Sequence, residues 1–359
     1  MLDRNQWVNR VNTRLESFIT ERESILRSLG HDLVPFVEFS RQFLSGGKRF
    51  RAQFALMGFG TQGRPIPDHA IDVASALEIF HAAALVHDDI MDKSDTRRGA
   101  PSAHRRFESV HGSSGWAGSS ADFGTSAALL FGDLLLAFCD ELITEGLLGA
   151  ADRTAALRSR NEFDRMRLDV TAGQYLDIVE ERAWPSIDKL EALPRAHRVV
   201  IYKSAKYSIE APLIIGASLA GAGDSDVATL RAFGLPLGIA FQLRDDLLGV
   251  FGDPSVTGKP AGDDLREGKR TVLIALAQRA LAPQDVQQMD SLLGSPDLLA
   301  ADIASLRTML TASGAVDQIE ELMTENVRVA QESLAHSNFS DATTAELSAL
   351  ADGVTQRTS

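Results

Sequence analysis

Two groups of aspartates lie far apart in the chain and share the same kind of sequence context. The first lies in residues 87–92 and is followed by Arg97 and Arg98. The second lies in residues 241–246 and is followed by Lys259. Carboxylates on an apolar stretch repel one another and resist burial unless a cation compensates their charge. Magnesium held by a few carboxylates keeps positions open for phosphate oxygens, which neighbouring Arg and Lys side chains also bind. The pattern predicts a magnesium and diphosphate site built from two halves.

The spacing within the first group suits a pair of carboxylates at a helix end. Asp88 and Asp92 are four residues apart, which places them on one helix face about 6 Å apart along the axis. Mostly apolar residues precede them, so we expect the pair at the mouth of a buried helix; the alternative is a solvated acidic turn. His81 lies on the same side, although a lone histidine on such a helix is more often a hydrogen-bonded core residue.

A glycine pair precedes another cationic group. Gly46 and Gly47 are followed by Lys48 and Arg51, just before an apolar run. Glycines let the backbone approach an anion, and a helix N-terminus adds partial positive charge. Lys48 and Arg51 share a helix face, whereas Arg49 faces elsewhere. No Gly-Lys-Ser/Thr follows a strand here, so this is not a P-loop, and taken alone the motif also occurs in ordinary loops.

Composition narrows the class of protein. The chain has 359 residues, 44% of them hydrophobic, and a formal charge of −13, which argues against nucleic-acid binding because phosphate backbones need a basic face. The single cysteine, Cys139, cannot form an internal disulfide and is expected to be a buried thiol, as in a cytoplasmic protein. The N-terminus lacks a signal-peptide pattern. The most membrane-like segment, residues 127–139, is too short to span a bilayer, so no transmembrane segment is predicted.

Nearly every long segment has the apolar spacing of a helix, and strand-like alternation is nearly absent. This predicts an all-α bundle with one domain over residues 1–359. Two loops stand out: a Gly/Ser-rich stretch at residues 112–120, and residues 252–268, which suit a lid that orders on phosphate. An apolar helix is also expected over residues 70–85, before the first aspartates. The other predicted helices cover residues 4–28, 33–43, 48–60, 124–147, 151–179, 187–218, 224–250, 269–281, 284–293, 298–313, 315–335 and 340–356.

Taken together, the motifs resemble those of the trans-isoprenyl diphosphate synthase family, and they occur in the family's order between residues 46 and 269. They are Gly-Gly-Lys-x-x-Arg, Asp-Asp-x-x-Asp with Arg-Arg-Gly, Gly-Gln-x-x-Asp, Lys-Ser, Phe-Gln-x-x-Asp-Asp and Gly-Lys-x-x-x-Asp. The resemblance implies a large all-α barrel around a deep central cavity, usually a homodimer. It also implies condensation of isopentenyl diphosphate with an allylic diphosphate.

The resemblance assigns roles to particular residues. Three magnesium ions per active site would be held by Asp88, Asp92 and Asp245, with Asp177 in support. The allylic diphosphate would be bound by Arg97, Lys203 and Lys259. The diphosphate of isopentenyl diphosphate would be bound by Lys48, Arg51, His81 and Arg98. Ser204 and Gln242 would lie beside the allylic cation.

Three positions depart from the family pattern. The second aspartate motif ends in Gly249, where many members carry a third aspartate; Asp245 remains, so we expect activity to survive. Ser204 stands where threonine is common and keeps the hydroxyl group. The stretch at residues 112–120 is longer than usual, and the sequence gives it no chemical role.

The helix before Asp88 is expected to set the length of the product. Ala83 and Ala84 are small at positions where short-chain members carry bulky side chains, so the growing tail can pass them. Phe80 and Leu77 lie about one and two turns deeper, with each turn adding about 5.4 Å. Phe80 is therefore the expected floor, and geranylgeranyl diphosphate the expected product. Farnesyl or longer polyprenyl diphosphates are the alternatives.

Other functions fit the sequence less well. A class I terpene cyclase shares the first aspartate motif but has no need for a second cationic clamp such as Lys48, Arg51 and Arg98. A His-Asp phosphohydrolase using His87 and Asp88 would need further metal-binding histidines. An inactive subunit of a heteromeric synthase would be expected to lose aspartates or clamp residues, which are present here.

Overall fold

The computed structural model describes residues 4–253, 262–295, 297–335 and 337–355, and helices account for most of these residues. The strands in this part of the chain are one short antiparallel pair, Thr96–Arg97 (β1) and Ala100–Pro101 (β2). The predicted all-α class is therefore confirmed. The predicted single domain over residues 1–359 stays a prediction.

The chain divides into two compact units, of which the first contains residues up to 160 together with Ile215–Ala222. Its helices are α1 (Arg4–Leu29), α2 (Val34–Leu44), α3 (Phe50–Gly60), α4 (Asp68–Met91), α5 (Ala103–Ser114) and α6 (Ser120–Gly149), with a 3₁₀ turn at His31–Leu33. Helices α7 (Arg153–Ala183) and α9 (Ala211–Leu219) contribute residues to both units.

The second unit contains Asn161–Ile214 and the chain from Gly223. After its part of α7 come a 3₁₀ turn at Trp184–Ser186, helix α8 (Lys189–Val199) and a π-helix at Val200–Glu210. The helices that follow are α10 (Asp224–Phe251), α11 (Asp263–Glu267), α12 (Val272–Ala280), α13 (Pro283–Leu292), α14 (Ala300–Ala312), α15 (Ala315–Ala335) and α16 (Asp341–Thr355).

Helix α4 is the central element of the first unit. Its apolar residues are buried on nearly every side, as expected for a helix that is hydrophobic all round. Glycines on α6 allow close approach: a Cβ atom at Gly132 would lie 2.2 Å from His87 Nε2, and one at Gly146 would lie 2.8 Å from the carbonyl oxygen of His69. Close packing of α4 on α6 therefore fixes the helix end that carries the first aspartate motif.

The helix that most resembles a membrane span in length and hydropathy is α4, and not the predicted stretch in α6. By length and composition alone, Asp68–Met91 could cross a bilayer, but 72% of its apolar window is buried inside the protein. A buried core helix passes the same test, so the expectation about residues 127–139 was wrong in position.

Glycines also set the packing of the second unit. A Cβ atom at Gly173 on α7 would lie 2.3 Å from Lys203 N, and one at Gly238 on α10 would lie 2.5 Å from the carbonyl oxygen of Ala205. Both α7 and α10 therefore touch the backbone of the π-helix. Each π turn widens the helix relative to an α-helix, and such segments often occur at functional sites.

Four sequence predictions of local structure need correction. Residues 187–218, expected as one helix, form α8, the π-helix and α9. Helix α6 begins at Ser120 because the Ser119 hydroxyl caps it by accepting a 3.2 Å hydrogen bond from Asp122 N. The predicted loop at residues 112–120 is shorter, since its first residues finish α5.

In the predicted lid at residues 252–268, residues 254–261 lie outside the described part, and Asp263–Glu267 is helical.

Candidate active site

The first aspartate motif ends helix α4, as the sequence predicts. Asp92 is the C-cap, and its N–H donates a 2.8 Å hydrogen bond to the carbonyl oxygen of Asp88. Both residues are partly buried. Their carboxylates therefore leave the last turn of one helix, the arrangement expected of a pair that holds a metal ion.

Arg97 lies against this motif through a residue that the sequence interpretation missed. Asp89 is fully buried. Its Oδ1 accepts a 2.8 Å hydrogen bond from Arg97 Nε and a second bond from Arg97 Nη2. Arg97 Nη2 also lies 3.4 Å from Asp88 Oδ2. The Asp89 carboxylate thus fixes the Arg97 guanidinium beside Asp88, within reach of any anion that binds there.

A tight hairpin separates Arg97 from Arg98. Arg97 pairs with Ala100, so Arg98 and Gly99 form a two-residue turn in which both have positive φ, 54° and 73°. Positive φ at both central residues is typical of a type I′ hairpin. Arg98 lies beside the glycine-rich segment: its guanidinium nitrogens lie 3.5 Å from where a Cβ atom of Gly47 would be, which is an ordinary van der Waals distance. The φ of 85° at Gly47 is the feature that favours glycine there.

His81 lies within a cluster of arginines. Burial holds the pKa of His81 well below its ordinary value, and the charges of Arg51, Arg98 and Arg97 lower it further. The charge of Asp88 acts in the opposite direction. The imidazole is therefore neutral at pH 7. Burial and the charges of Arg97 and Arg51 likewise lower the pKa of Arg98. Three guanidinium groups that repel one another form a site suited to a strongly charged anion.

Glu78, a second residue missed from the sequence, supports this cluster from below. It is 5% exposed and accepts a 2.9 Å hydrogen bond from the backbone N–H of Ala52 in the first turn of α3. Its charge also raises the pKa of Arg98. The sequence did offer a signal for Glu78, because it is an acidic residue within a mostly apolar stretch of α4.

Arg49 lies next to this cluster through Glu78. It is 5% exposed, its Nε donates a 2.8 Å hydrogen bond to Asn12 Oδ1, and its Nη1 lies 3.8 Å from Glu78 Oε2. Lys48 is exposed, and Arg51 is partly buried. The structure therefore brings Arg51, His81 and Arg98 together and leaves Lys48 at their edge.

In the second unit, Lys203 is joined to Asp177. Lys203 Nζ lies 2.5 Å from Asp177 Oδ2, and Asp177 is 8% exposed. Lys206, three residues further along the π-helix, makes a 2.8 Å pair with Asp169, which lies about two turns before Asp177 on α7. The π-helix presents Lys203 and Ser204 consecutively, and Gly173 allows their backbone to lie against α7.

The second aspartate motif lies on α10. Gln242 Nε2 donates a 2.7 Å hydrogen bond to Asp246 Oδ1. Burial, with further contributions from the charges of Asp264 and Asp245, raises the pKa of Asp246 to about 8. The Asp246 Oδ2 atom is buried without a hydrogen-bond partner. Three crowded carboxylates and an unsatisfied oxygen favour a bound cation.

The carboxylates of the two aspartate motifs suit magnesium, but they do not form a complete metal site by themselves. All of the donors are hard carboxylate oxygens, which magnesium prefers. Among the residues that the structure describes, no group of three or more His, Cys, Asp or Glu side chains could hold a metal ion alone. Magnesium is usually bound by one or two carboxylates together with substrate phosphates. The carboxylates therefore suit a magnesium ion that arrives with a diphosphate.

Two residues of the sequence interpretation remain to be placed. Lys259 lies outside the described residues. His87, the histidine required by the phosphohydrolase alternative, packs against α6 instead: its Nε2 lies 3.3 Å from the Leu129 carbonyl oxygen and 3.6 Å from Asp133 Oδ1. The His87 ring is thus part of the helix packing.

Comparisons with known proteins agree with this site. The sequence model of the polyprenyl synthetase family matches residues 36–310. Geranylfarnesyl diphosphate synthase of Aeropyrum pernix is 31% identical over 309 residues, covering 84% of this chain and 87% of that protein. Geranylgeranyl diphosphate synthase of Sulfolobus acidocaldarius is 33% identical over 273 residues, covering 75% and 72%. The fold is also similar to a crystal structure of geranylgeranyl pyrophosphate synthase from Corynebacterium glutamicum, complexed with isoprenyl diphosphate and magnesium. The two sequences are 37% identical, the TM-score is 0.92, and the match covers 99% of this chain and 100% of that one.

The fold and the site define an all-α prenyltransferase. The chain belongs to the polyprenyl synthetase family, and the predictions of family, fold class and enzyme class are confirmed. The roles predicted for individual residues stay predictions.

Proposed function

We propose that this protein catalyses the magnesium-dependent, head-to-tail condensation of isopentenyl diphosphate with an allylic diphosphate. The observation that carries this proposal is the cluster of Arg51, Arg97 and Arg98 around a neutral His81, beside the Asp88 carboxylate. A cyclase ionises a single diphosphate and has no use for so many cations next to its metal-binding carboxylates. Two diphosphates bound side by side require them.

Each diphosphate has its own set of residues in this proposal. Asp88 and Asp92 would hold two magnesium ions and Asp245 a third, with Asp177 in support, as the family resemblance implies. By the same resemblance, Arg97, Lys203 and Lys259 would bind the allylic diphosphate. The diphosphate of isopentenyl diphosphate is bound by Lys48, Arg51, His81 and Arg98.

The chemistry follows from charge placement. Bound magnesium would supply the positive charge that lets the allylic diphosphate leave. The C1–O bond breaks with its electron pair going to the diphosphate, and the double bond of isopentenyl diphosphate forms the new C–C bond at C1. The attack leaves the positive charge on C3 of the isopentenyl unit. A proton then leaves C2 of that unit to form the new double bond, with the departed diphosphate as its acceptor. The arginine cluster positions the second substrate, and Ser204 and Gln242 would lie beside the developing positive charge, as the family resemblance implies.

One assay tests the function. Purified protein is incubated with Mg²⁺, labelled isopentenyl diphosphate and, in turn, dimethylallyl, geranyl and farnesyl diphosphate. Elongated prenyl diphosphates that form only when both substrates are present support the proposal. A hydrocarbon formed from the allylic substrate alone would identify a cyclase instead, and an inactive chain would point to a subunit that needs a partner.

We propose geranylgeranyl diphosphate as the main product. Ala84, four residues before Asp88, is half-buried, whereas Ala83 is completely buried, so Ala84 lies on the more accessible side of α4. Phe80 lies four residues deeper on the face that carries Ala84 and Asp88. The bulk of its ring limits the tail at that level.

Phe80→Ala is expected to shift the product to longer chains, because removal of the ring opens the next turn of α4. Chromatographic sizing of the product measures this. Ile79→Ala is the matched control, since it truncates a fully buried neighbour on a different face and should lower stability by about 2–5 kcal/mol without changing chain length. An unchanged product from Phe80→Ala would show that Phe80 is not the floor.

We also propose that the protein is a cytoplasmic homodimer, as the family resemblance implies. The supporting feature is a pair of adjacent exposed leucines on α6, Leu129 (50% exposed) and Leu130 (58%). Leu130→Asp should convert the dimer to a monomer in light-scattering measurements, because it buries a charge in an apolar interface. Leu148→Asp, which changes an equally exposed leucine at the other end of α6, should remain dimeric. A wild-type chain that is monomeric would contradict the proposal.

A further inference from the structure

The second unit contains a cleft that no step of the proposed reaction uses. It has a volume of about 140 Å³ and is lined by residues from the end of α7, the turn that follows it, the start of α8, and helices α12 and α13. Much of its lining is apolar and comes from Trp184, Pro185, Ile187, Ala192, Ile274 and Ala275. An apolar cavity of this size is filled by a single benzene ring. The cleft is therefore sized for a ligand with one ring or a short branched chain.

Arg270 supplies positive charge in this cleft and is held in a fixed orientation. Its side chain is 8% exposed, and its guanidinium carbon lies 3.8 Å from the centroid of the Trp184 ring. Arg270 Nη1 lies 2.5 Å from Asp290 Oδ1, which also accepts a 2.8 Å hydrogen bond from Gln278 Nε2. A guanidinium that stacks on an indole ring and pairs with a carboxylate has little freedom to turn.

These contacts leave Arg270 incompletely compensated. Its Nε atom is buried, and none of the residues that the structure describes accepts a hydrogen bond from it. An unpaired buried donor destabilises the folded protein. Burial also lowers the pKa of Arg270, and Asp290 offsets only part of that effect. An anion in the cleft would therefore lie beside a guanidinium whose hydrogen-bonding capacity is not used up.

The charges around the cleft favour an anion with a single charge. The carboxylate of Glu180 is paired with Arg195, at 3.0 Å from Arg195 Nε and 2.7 Å from Arg195 Nη2. Asp290 is paired with Arg270, and the remaining charged residue of the lining, Lys189, is exposed. These five side chains are three cations and two carboxylates, so they carry one net positive charge at pH 7. One negative charge on a ligand would balance it.

We propose that this cleft binds a small monocarboxylate with an aromatic or short branched body. The carboxylate lies beside Arg270, and the body packs against the apolar lining residues. A diphosphate carries more negative charge than these side chains balance and has no apolar body of the right size at its head. The substrates of the proposed reaction are therefore not the ligands of this cleft.

Benzoate is a suitable probe because it joins one carboxylate to one ring, and benzamide is its neutral counterpart of similar shape. Each is titrated calorimetrically into the full chain without Mg²⁺ or diphosphates. Benzoate should bind with one molecule per chain, and benzamide should bind at least about 10-fold more weakly, because a charge-assisted hydrogen bond is stronger than a neutral one. No binding of benzoate, or equal binding of the two compounds, would overturn the proposal.

Two variants place the bound benzoate in the cleft. Arg270→Gln should weaken benzoate binding by about 10-fold or more, because the amide cannot supply the positive charge. Ala192→Phe retains every charged group and should also weaken binding by about 10-fold or more, because its ring takes up the apolar part of the cleft. The matched control, Arg279→Gln, removes an exposed guanidinium from α12 and should bind benzoate like wild type.

Arg270 is buried, so its variant is interpreted only if it melts like wild type. Ala192→Phe tests the same site without touching Arg270, and wild-type affinity in a folded Ala192→Phe variant would overturn the proposal. A crystal structure of the wild type with benzoate decides if neither variant folds: the carboxylate must lie beside Arg270. None of these measurements depends on turnover, so a negative result leaves the proposed condensation reaction standing.

Discussion

Replacing Asp88 with Asn is expected to lower kcat/KM for condensation by about 10³-fold, equivalent to about 4 kcal/mol of transition-state stabilisation. The amide keeps the size of the side chain but is a much poorer magnesium ligand. It also removes a negative charge beside Arg97, which lies 3.4 Å from Asp88 Oδ2. The measurement is steady-state turnover of labelled isopentenyl diphosphate across a range of Mg²⁺ concentrations, which should show a raised magnesium requirement.

The control for this variant is Asp95→Asn. Asp95 is exposed and accepts a 2.6 Å hydrogen bond from Arg105 Nε, so its loss affects only a surface ion pair, with an expected effect below about 1 kcal/mol. If Asp88→Asn folds normally and keeps more than a tenth of wild-type kcat/KM, the first motif does not hold the metal ions as proposed.

Replacing Arg98 with Gln should raise KM for isopentenyl diphosphate by about 100-fold and change KM for the allylic substrate far less. The guanidinium supplies charge-assisted hydrogen bonds worth about 1.5–3 kcal/mol each. Its guanidinium nitrogens lie 3.5 Å from the Cβ position of Gly47, in the glycine-rich segment. The two KM values, measured separately with the other substrate saturating, show which diphosphate Arg98 binds.

Two further variants sharpen this result. Arg105→Gln removes an arginine that is tied to Asp95 and Glu108 on the surface, and it should leave both KM values unchanged. Gly47→Ala should resemble a mild form of Arg98→Gln, because its φ of 85° strains an L-residue and its methyl group meets the Arg98 guanidinium. Equal increases in both KM values for Arg98→Gln would contradict the separate assignment of the two diphosphates.

The helices and the positions of the motifs could be predicted from the sequence because both depend on local patterns. Apolar spacing places α4, and four-residue spacing places Asp88 and Asp92 on its last turn. Spacing did not predict the glycine-rich motif in the same way: the helix expected from residue 48 begins at Phe50, and Arg49 before it has a φ of 52°.

The supporting residues could not be predicted in the same way, because their partners are distant in sequence. Asp89 and Glu78 acquire their roles from a hairpin and from α3, and only folding brings these together with α4. Asp264 was visible as part of an acidic pair, but nothing local showed that its carboxylate lies where a side chain at Gly249 would begin. The π-helix was equally hidden, since α and π turns have similar apolar spacing over a few residues and the choice is made by packing.

The two-residue hairpin after the first aspartate motif has a consequence for the order of events during turnover. Arg97 and Arg98 are neighbours in sequence, yet one guanidinium lies against Asp89 and the other beside Gly47. Because one peptide bond joins the two residues, we expect a ligand that moves either guanidinium to change the position of the other. Any change that occupancy of one anion position then makes in the affinity of the other must, by thermodynamic linkage, be equal in both directions.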